Sequence, residues 1–201
     1  MKKFDEKKQK IKEAGIKSFA AFGYTKTTLE DIARILGMKK NSLYYYFESK
    51  DALFREIIDD EISTHLTNQK EIYNENLPCS KKLVQLIDCL IKFIREHTFK
   101  YTIRLSSYLE ISRVIRKNFP DFQKRQRDLI HSLLKEGVAK GEFKKHNSKQ
   151  LAKDINELIP AIFNSHYINS DAEFVHEVDF DTIAKEVKRI ISYILEGIKI
   201  K

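Results

Sequence analysis

The 201-residue chain is long enough for one medium-sized domain, or for a small module joined to a larger one. Hydrophobic residues make up 42% of it, which is ample for a core, and only 6 Gly and 3 Pro argue against a turn-rich β-protein. The net charge of +8 is concentrated at the start, because residues 1–50 hold 12 Lys and Arg against 6 Asp and Glu. This excess indicates either a solvated basic face or an anionic partner, with nucleic acid favoured over a membrane surface.

Several classes of protein lack support in the sequence. The two cysteines, Cys79 and Cys89, have no CxxC spacing and predict neither a disulfide framework nor a zinc ribbon. No apolar run approaches the roughly 20 residues that a membrane-spanning helix needs. The basic start MKKFDEKKQK has no apolar run behind it, so we do not expect a signal peptide and expect a cytoplasmic protein.

The first helix is predicted over residues 5–22, with Ile11, Ala14, Gly15, Phe19 and Phe22 on its buried stripe. Gly23 follows it, at the place where a left-handed C-terminal cap favours a residue without Cβ.

The stretch TKTTLEDIARILGM predicts a short second helix that ends at Gly37. Its N-terminal cap is either Thr27 with Glu30 or Thr28 with Asp31, since each pair puts a hydroxyl three residues before a carboxylate. A third short helix is predicted to begin near Lys39 or Lys40.

Longer helices follow. Ser49 is the predicted cap of a fourth helix that runs to about Tyr73, and Ser80 is the predicted cap of a fifth. Pro160 removes a backbone donor and is expected to kink or split its helix near Asn156. The predicted ranges of the remaining helices are 81–98, 101–118, 121–140, 148–168 and 180–199.

The second and third helices have the spacing of a helix-turn-helix. This motif needs a small residue where the helices cross, a glycine in the turn, and an apolar residue that pins the second helix to the first. Ala33, Gly37 and Leu43 occupy these three places. We therefore predict an all-α protein with an N-terminal three-helix helix-turn-helix module and a C-terminal helical bundle.

The third helix has an outward face suited to DNA. If Leu43 and Phe47 point inward, Asn41 and Tyr45 point nearly opposite, while Tyr46 is expected to be half-buried. An asparagine can pair with an adenine edge, and lysines and tyrosine hydroxyls can hold phosphates. The exposed face is predicted to consist of Lys39, Lys40, Asn41, Ser42, Tyr44 and Tyr45.

The run FAAFGYTKTTLEDIARILGMKKNSLYYYFESKDALF resembles the DNA-binding module of TetR-type (tetracycline-repressor-like) regulators. The resemblance covers residues 5–60 closely, and LLKEGVAKGEF at 133–143 is more weakly similar to a piece of the family's C-terminal domain. It implies a DNA-binding domain over 1–50, a connecting fourth helix from about residue 50, and an effector-binding and dimerisation domain over 51–201. Position 41 departs from the pattern, because Asn41 stands where a small residue is common. The DNA-contacting residues implied are Thr27, Thr28, Lys39, Lys40, Asn41, Ser42, Tyr44, Tyr45, Tyr46 and Lys50.

The resemblance also implies that the last two helices form a four-helix bundle between two copies of the chain. Their apolar faces are broad, although both faces can instead be core within one chain. The predicted dimer residues are Leu151, Ile155, Ile159, Ile162, Val187, Ile190, Ile191, Ile194 and Ile198.

A small apolar or amphipathic effector is expected among the middle helices. Its candidate contacts carry a polar tip or an aromatic ring on an apolar stripe, although residues of this kind are more often core residues than ligand contacts. They are Cys89, Phe93, His97, Tyr101, Tyr108, Phe163, Asn164 and Tyr167.

We therefore expect a homodimeric repressor that leaves a palindromic, double-stranded DNA operator when its effector binds. An enzyme is disfavoured, because the chain has no GxGxxG, Walker or HExxH motif and its six histidines lack metal-binding i, i+4 spacing. We expect no metal, cofactor or membrane partner. The alternative left open is a DNA-binding protein without small-molecule control, whether architectural or tethered to a partner protein. A basic helical protein at a membrane surface is disfavoured, because the basic segment contains turn residues instead of one long amphipathic helix.

Overall fold

The computed structural model describes residues 2–200, and side chains from residue 4 onward, so Met1 and Lys201 of the predicted domains lie outside it. Within this range the chain forms nine α-helices, one 3₁₀ turn at Val175–Glu177 and no strand, which confirms the all-α prediction. The helices are α1 (Lys2–Lys26), α2 (Leu29–Ile35), α3 (Lys40–Tyr44), α4 (Lys50–Asn74), α5 (Cys79–Lys100), α6 (Leu105–Asn118), α7 (Pro120–Ala139), α8 (Ser148–Ile168) and α9 (Phe180–Ile198). None of the helices in the described range is long and apolar enough to cross a bilayer.

Two glycines shape the N-terminal module. Gly23 interrupts α1 with φ 82° and ψ 170°, a backbone conformation that is almost exclusive to glycine. Gly37 turns the chain between α2 and α3 with φ 62°. Leu43 and Phe47 are buried, as predicted, and hold α3 against the rest of the module.

Thr28, and not Thr27, caps α2. The Thr28 hydroxyl oxygen accepts a hydrogen bond from the backbone N–H of Asp31 at 3.1 Å. Thr27 is only 2% exposed, and its hydroxyl donates to the carbonyl oxygen of Gly23 at 2.7 Å. The two alternatives left by the sequence are thus decided in favour of Thr28 with Asp31.

The prediction that Phe22 is buried is wrong, because 60% of this residue is exposed. The break at Gly23 turns the chain, so that Tyr24 and not Phe22 packs on the module's aromatic cluster. The Tyr24 ring lies 5.9 Å from that of Phe19 and 4.8 Å from that of Phe54. A helical stripe continued up to the break therefore selects Phe22, although the aromatic residue that packs on the cluster, Tyr24, lies beyond the break.

Helix α4 begins at its predicted cap, Ser49, whose hydroxyl oxygen accepts from the N–H of Ala52 at 3.0 Å. The chain has two hydrophobic clusters, an N-terminal cluster in the module and a second cluster in the bundle, and α4 connects them. Its first turns give Leu53 and Phe54 to the N-terminal cluster, whereas His65 is buried further along the bundle. The N-terminal cluster also includes Phe119, just before α7.

Ser80 does not cap α5. The helix begins one residue earlier, at Cys79, and the carboxylate of Glu142 accepts from the N–H groups of Cys79 and Ser80 at 2.6 and 2.9 Å. Helix α8 runs unbroken through Pro160, so the predicted split does not occur.

Helices α8 and α9 turn much of their apolar faces inward, against α7 and α5 respectively. Five of the predicted dimer residues are buried in the core of a single chain: Ile155, Ile159, Ile162, Val187 and Ile191. The other four, Leu151, Ile190, Ile194 and Ile198, are half-buried at the edge of that core.

Candidate DNA interface and effector cavity

Helix α3 presents the predicted polar face to solvent. Asn41 and Ser42 are exposed beside Lys39 and Lys40, and Tyr45 is 75% exposed. We call Lys39, Lys40, Asn41, Ser42, Tyr44 and Tyr45 the recognition face. Tyr46 is half-buried, as expected from its position relative to Leu43.

One lysine of the recognition face already has an acidic partner. The Lys40 ammonium forms an ion pair with the carboxylate of Glu30 on α2, and its nitrogen lies 5.8 Å from the centre of the Tyr44 ring. The hydrogen bond and charge of Glu30 raise the pKa of Lys40. Any phosphate that approaches Lys40 therefore meets a carboxylate as well.

The tyrosines of α3 pack on the beginning of α1. The Phe4 ring stacks on Tyr46 with 4.7 Å between centroids, and it meets Tyr45 edge-on at 5.8 Å. Sequence reasoning missed Phe4, because nothing local in the sequence pairs it with residues some 40 positions away. This contact supports the otherwise exposed end of the recognition face.

Two residues that the resemblance assigns to DNA contact have roles inside the module. Thr27 is buried, as described above. The Lys50 ammonium donates to the carbonyl oxygens of Tyr24 at 2.8 Å and Thr25 at 3.4 Å. A phosphate contact by Lys50 would have to compete with these two bonds, which hold the end of α1.

Helix α6 contacts the same corner of the module. The carboxylate of Glu110 accepts from the backbone N–H of Thr25 at 2.8 Å and also from the Thr25 hydroxyl. Glu110 lies so close to Gly23 that a Cβ on this glycine would clash with its carboxylate. The corner between α1 and α2 is thus held by a side chain from the C-terminal bundle.

A cavity of about 280 Å³ lies between the module and the bundle. Six of the eight predicted effector residues line it: Phe93, His97, Tyr101, Tyr108, Phe163 and Asn164. The other two lie outside its lining. Tyr167 is buried against Tyr108, with 4.9 Å between ring centroids, and Cys89 lies beside His65, with its sulfur 3.8 Å from Nδ1.

Part of the cavity wall comes from the predicted DNA-binding domain and from the connecting helix that follows it. Helix α1 contributes Ile16, Phe19 and Ala20, and α4 contributes Phe54 and further residues. Phe19 and Phe54 also belong to the hydrophobic cluster that holds α3. Their buried positions could be predicted from helical spacing, but their place in the cavity depends on how the module meets α6.

An ion pair crosses the cavity wall between α4 and α5. Glu61 accepts from His97 Nε2, and the hydroxyl of Tyr101 lies 3.5 Å from the other carboxylate oxygen. The hydrogen bond from His97 lowers the pKa of Glu61 and outweighs the opposing effect of burial. Burial by itself would lower the pKa of His97, but the hydrogen bonds to Glu61 and to the carbonyl of Phe93 raise it.

Next to this pair lies a buried network of neutral polar groups. The amides of Gln69 and Gln126 bond reciprocally at 2.7 and 2.9 Å, and Gln69 Nε2 lies 2.9 Å from His65 Nε2. Burial first, and then the nearby charge of His97, lowers the pKa of His65 to about 4. His65 is therefore neutral at pH 7, so that its Nε2 can accept from Gln69.

A helix-turn-helix with an exposed basic face, joined by α4 to a cavity-bearing helical bundle, defines the class as helix-turn-helix DNA-binding regulators. Residues 11–57 match the family model described as bacterial regulatory proteins, tetR family. The chain is 30% identical over 164 residues to IcaR of Staphylococcus aureus, the biofilm operon icaADBC negative transcriptional regulator, and covers 83% of it with 81% of its own length. The chain belongs to the TetR family of transcriptional regulators, which bind DNA.

One further relative and two solved structures are also similar to the chain. The uncharacterized HTH-type regulator YhgD of Bacillus subtilis is 27% identical over 143 residues, which are 69% of this chain and 73% of YhgD. A transcriptional regulator from Cytophaga hutchinsonii shares the fold with a TM-score of 0.73 at 24% identity, covering 94% of this chain and 97% of its own. A TetR regulator from Chloroflexus aurantiacus has a TM-score of 0.74 at 16% identity over the full length of both chains.

Proposed function

We propose that the protein is a homodimeric repressor that binds an inverted-repeat operator and leaves it when a small molecule occupies the cavity. The observation that carries this proposal is the shared wall: Phe19 and Phe54 line the cavity and also belong to the cluster that holds the recognition helix. Repression, rather than activation, is supported by the relative IcaR, which is a negative regulator. We further propose a cytoplasmic location and no enzymatic activity.

The proposal of a dimer is supported by the outer sides of α8 and α9. Ile168 on α8 is 68% exposed and Tyr193 on α9 is 63% exposed, and Ile190 and Ile194 lie half-buried beside the latter. These residues leave apolar surface on α8 and α9 in contact with water. A two-fold dimer would cover it and would place two recognition faces for successive turns of the major groove.

The proposal that the protein leaves its operator on ligand binding is supported by the contacts of α4 and α6. Both helices line the cavity, α4 leads directly into the module, and Glu110 of α6 holds the corner at Thr25. A ligand shifts an equilibrium only by the difference between its affinities for the two states. We propose that it favours the state in which the two recognition faces are wrongly spaced for DNA.

Selection of bound sequences from random double-stranded DNA tests this function. We expect enrichment of an inverted repeat whose half-sites lie one helical turn, or a multiple of it, apart. Absence of enrichment would reject operator-specific binding. Strongly salt-dependent binding without sequence preference would favour the alternative of an architectural DNA-binding protein.

A further inference from the structure

The charged groups in the cavity wall limit what the cavity can bind. Most lining residues are apolar. Among the others, three can carry a charge at or below neutral pH: Glu61, His97 and Arg116. Arg116 is exposed, whereas the side chains of Glu61 and His97 are only 29% and 28% exposed. The partly buried charge that a ligand can use is therefore a carboxylate with a histidine as its counter-ion.

Both imidazole nitrogens of His97 have acceptors. Nδ1 lies 2.6 Å from the carbonyl oxygen of Phe93, and Nε2 bonds the Glu61 carboxylate. Two acceptors require two N–H donors, and only the protonated imidazolium has both. The other ionisable groups that act on the pair are Lys100, whose charge opposes protonation of His97, the hydroxyl of Tyr101, and neutral His65.

A histidine counter-ion differs from lysine or arginine in one respect. It can lose its charge near neutral pH by giving up a proton, whereas lysine and arginine keep theirs. Neutral His97 would still donate from Nδ1 to the Phe93 carbonyl, so that its ring can stay in place. Glu61 would then need another positive partner, because an unpaired and partly buried carboxylate is unfavourable.

The surroundings of Glu61 suit an organic cation. The ring of Phe93 lies 4.2 Å from that of His97, and Tyr101 reaches the carboxylate with its hydroxyl. Aromatic faces attract cations, and the apolar remainder of the cavity accommodates a hydrocarbon body. An anionic ligand would have to rely on exposed Arg116, and ion pairs at the surface contribute little.

We propose that the cavity binds a lipophilic organic cation, whose positive charge takes the place of the His97 proton beside Glu61. The binding reaction is an exchange in which one positive charge enters the site and one proton leaves His97 for solvent. This inference rests on the proposed function, in which the cavity holds the effector. Because Glu61 belongs to α4, the exchange also removes a tie between the helix that leads into the DNA-binding module and α5.

Titration calorimetry of the full chain with decyltrimethylammonium, below its micelle concentration, tests the exchange. This probe has a permanent charge, so any proton released comes from the protein. We expect its affinity to rise about tenfold per pH unit below the raised pKa of His97 and to level off above it. Below that pKa, buffers of different ionisation enthalpy should report the release of close to one proton. Decanol and decanoate, which have similar tails but other head groups, should bind more weakly and without this release.

Two variants separate the contributions of His97 and Glu61 to binding of the cation. His97→Gln should bind decyltrimethylammonium with an affinity independent of pH and without proton release, and Glu61→Gln should bind it at least tenfold more weakly while binding decanol as before. His166→Gln is the matched control, because His166 pairs with Glu186 at 2.7 Å outside this cavity, and it should titrate like the unaltered protein. Equal affinity for decanol and the cation, or proton release that persists in His97→Gln, would overturn the inference.

Operator binding by the same preparations separates this inference from the proposed function. Normal binding to the selected DNA, together with no binding of the cation, would overturn the ligand class alone. Failure to bind any selected DNA would overturn the proposed function, while the calorimetric result would still decide which ligand class the cavity accepts.

Discussion

Asn41 offers an amide donor and a carbonyl acceptor at the exposed start of α3, where a flat base edge can use both. We predict that Asn41→Ala loses about 1–3 kcal/mol of discrimination at one operator position. A binding array that covers all substitutions of the selected operator measures this loss. Lys39→Ala is the comparison, because loss of a phosphate contact should weaken all sequences alike. An unchanged sequence preference in Asn41→Ala would exclude it as a base-reading residue.

Glu30 is expected to weaken binding to DNA of arbitrary sequence, because its carboxylate forms an ion pair with the Lys40 ammonium and so competes with DNA phosphates. We predict that Glu30→Gln binds random duplex several-fold more tightly, with a salt dependence steeper by about one phosphate contact. Fluorescence anisotropy at several salt concentrations measures both quantities.

Glu48→Gln provides the matched control, because Glu48 is an exposed acid of the same module and its substitution changes the net charge equally. In a Lys40→Ala background, Glu30→Gln should add no more than this control does. An equal gain from both glutamine variants would mean that overall charge, and not the ion pair, sets the affinity.

The direction of each α3 side chain follows from helical spacing once Leu43 is placed inward, and the structure has the predicted exposures. The roles of Thr27 and Lys50 could not be obtained in this way. Their partners are backbone carbonyls at the end of α1, and only the fold brings these carbonyls within reach. Family resemblance transfers a position along the chain, but not the hydrogen bonds that already occupy its side chain.

At the scale of elements, the corner between α1 and α2 requires a residue without Cβ at position 23. We predict that Gly23→Ala destabilises the fold by more than the roughly 1–3 kcal/mol that a glycine-only backbone conformation costs, because its Cβ must also displace Glu110. Gly37→Ala is the comparison, since φ is also positive there but a Cβ would meet nothing within 4 Å. Urea unfolding of both variants measures the difference. Equal losses would show that neither the backbone conformation of Gly23 nor the clash with Glu110 adds to the cost.

Helix α5 depends on a carboxylate from another part of the chain. We predict that Glu142→Gln lowers the free energy of unfolding by about 1 kcal/mol at pH 7, as expected for a weakened N-terminal cap. Burial by itself would raise the pKa of Glu142, but the hydrogen bonds from Ser80 and Cys79 lower it below 4.5.

The sign of the pH dependence follows from this lowered pKa. The contribution of the charged cap is complete above the unfolded value of 4.5 and is lost as the pH falls through the lower folded value. The difference between wild type and Glu142→Gln in urea unfolding should therefore disappear in acid. A difference that stays constant down to pH 3 would contradict the role of the carboxylate charge.

Helical periodicity and local caps predicted the helices closely, since most of their stabilising pattern lies within each segment. The exceptions have causes outside the segment. The start of α5 is fixed by Glu142, which lies 62 and 63 residues away from its partners, and the 3₁₀ turn at Val175–Glu177 follows backbone bonds from Leu105 to Glu173 and from Val175 to Ile103.

For the whole molecule, the exposed apolar side chains of α8 and α9 set the expected assembly. We predict that Tyr193→Glu converts a dimer into monomers at micromolar concentration and greatly weakens operator binding, because a charge would be buried between the copies. Analytical ultracentrifugation and operator titration measure the two effects. Val84→Glu makes the same kind of change at an exposed position on α5 and should leave both unchanged. A wild-type protein that is monomeric under these conditions would reject the dimer.

The cavity has a consequence for how the protein can change over evolutionary time. Because Ile16, Phe19 and Ala20 of α1 form part of its wall, the DNA-binding segment is not an independent cassette. A chimera that receives this segment from a relative would acquire a new ligand specificity together with a new operator. Adaptation to a new signal is thus expected to use wall positions on α5 and α8, because none of these belongs to the cluster that holds α3.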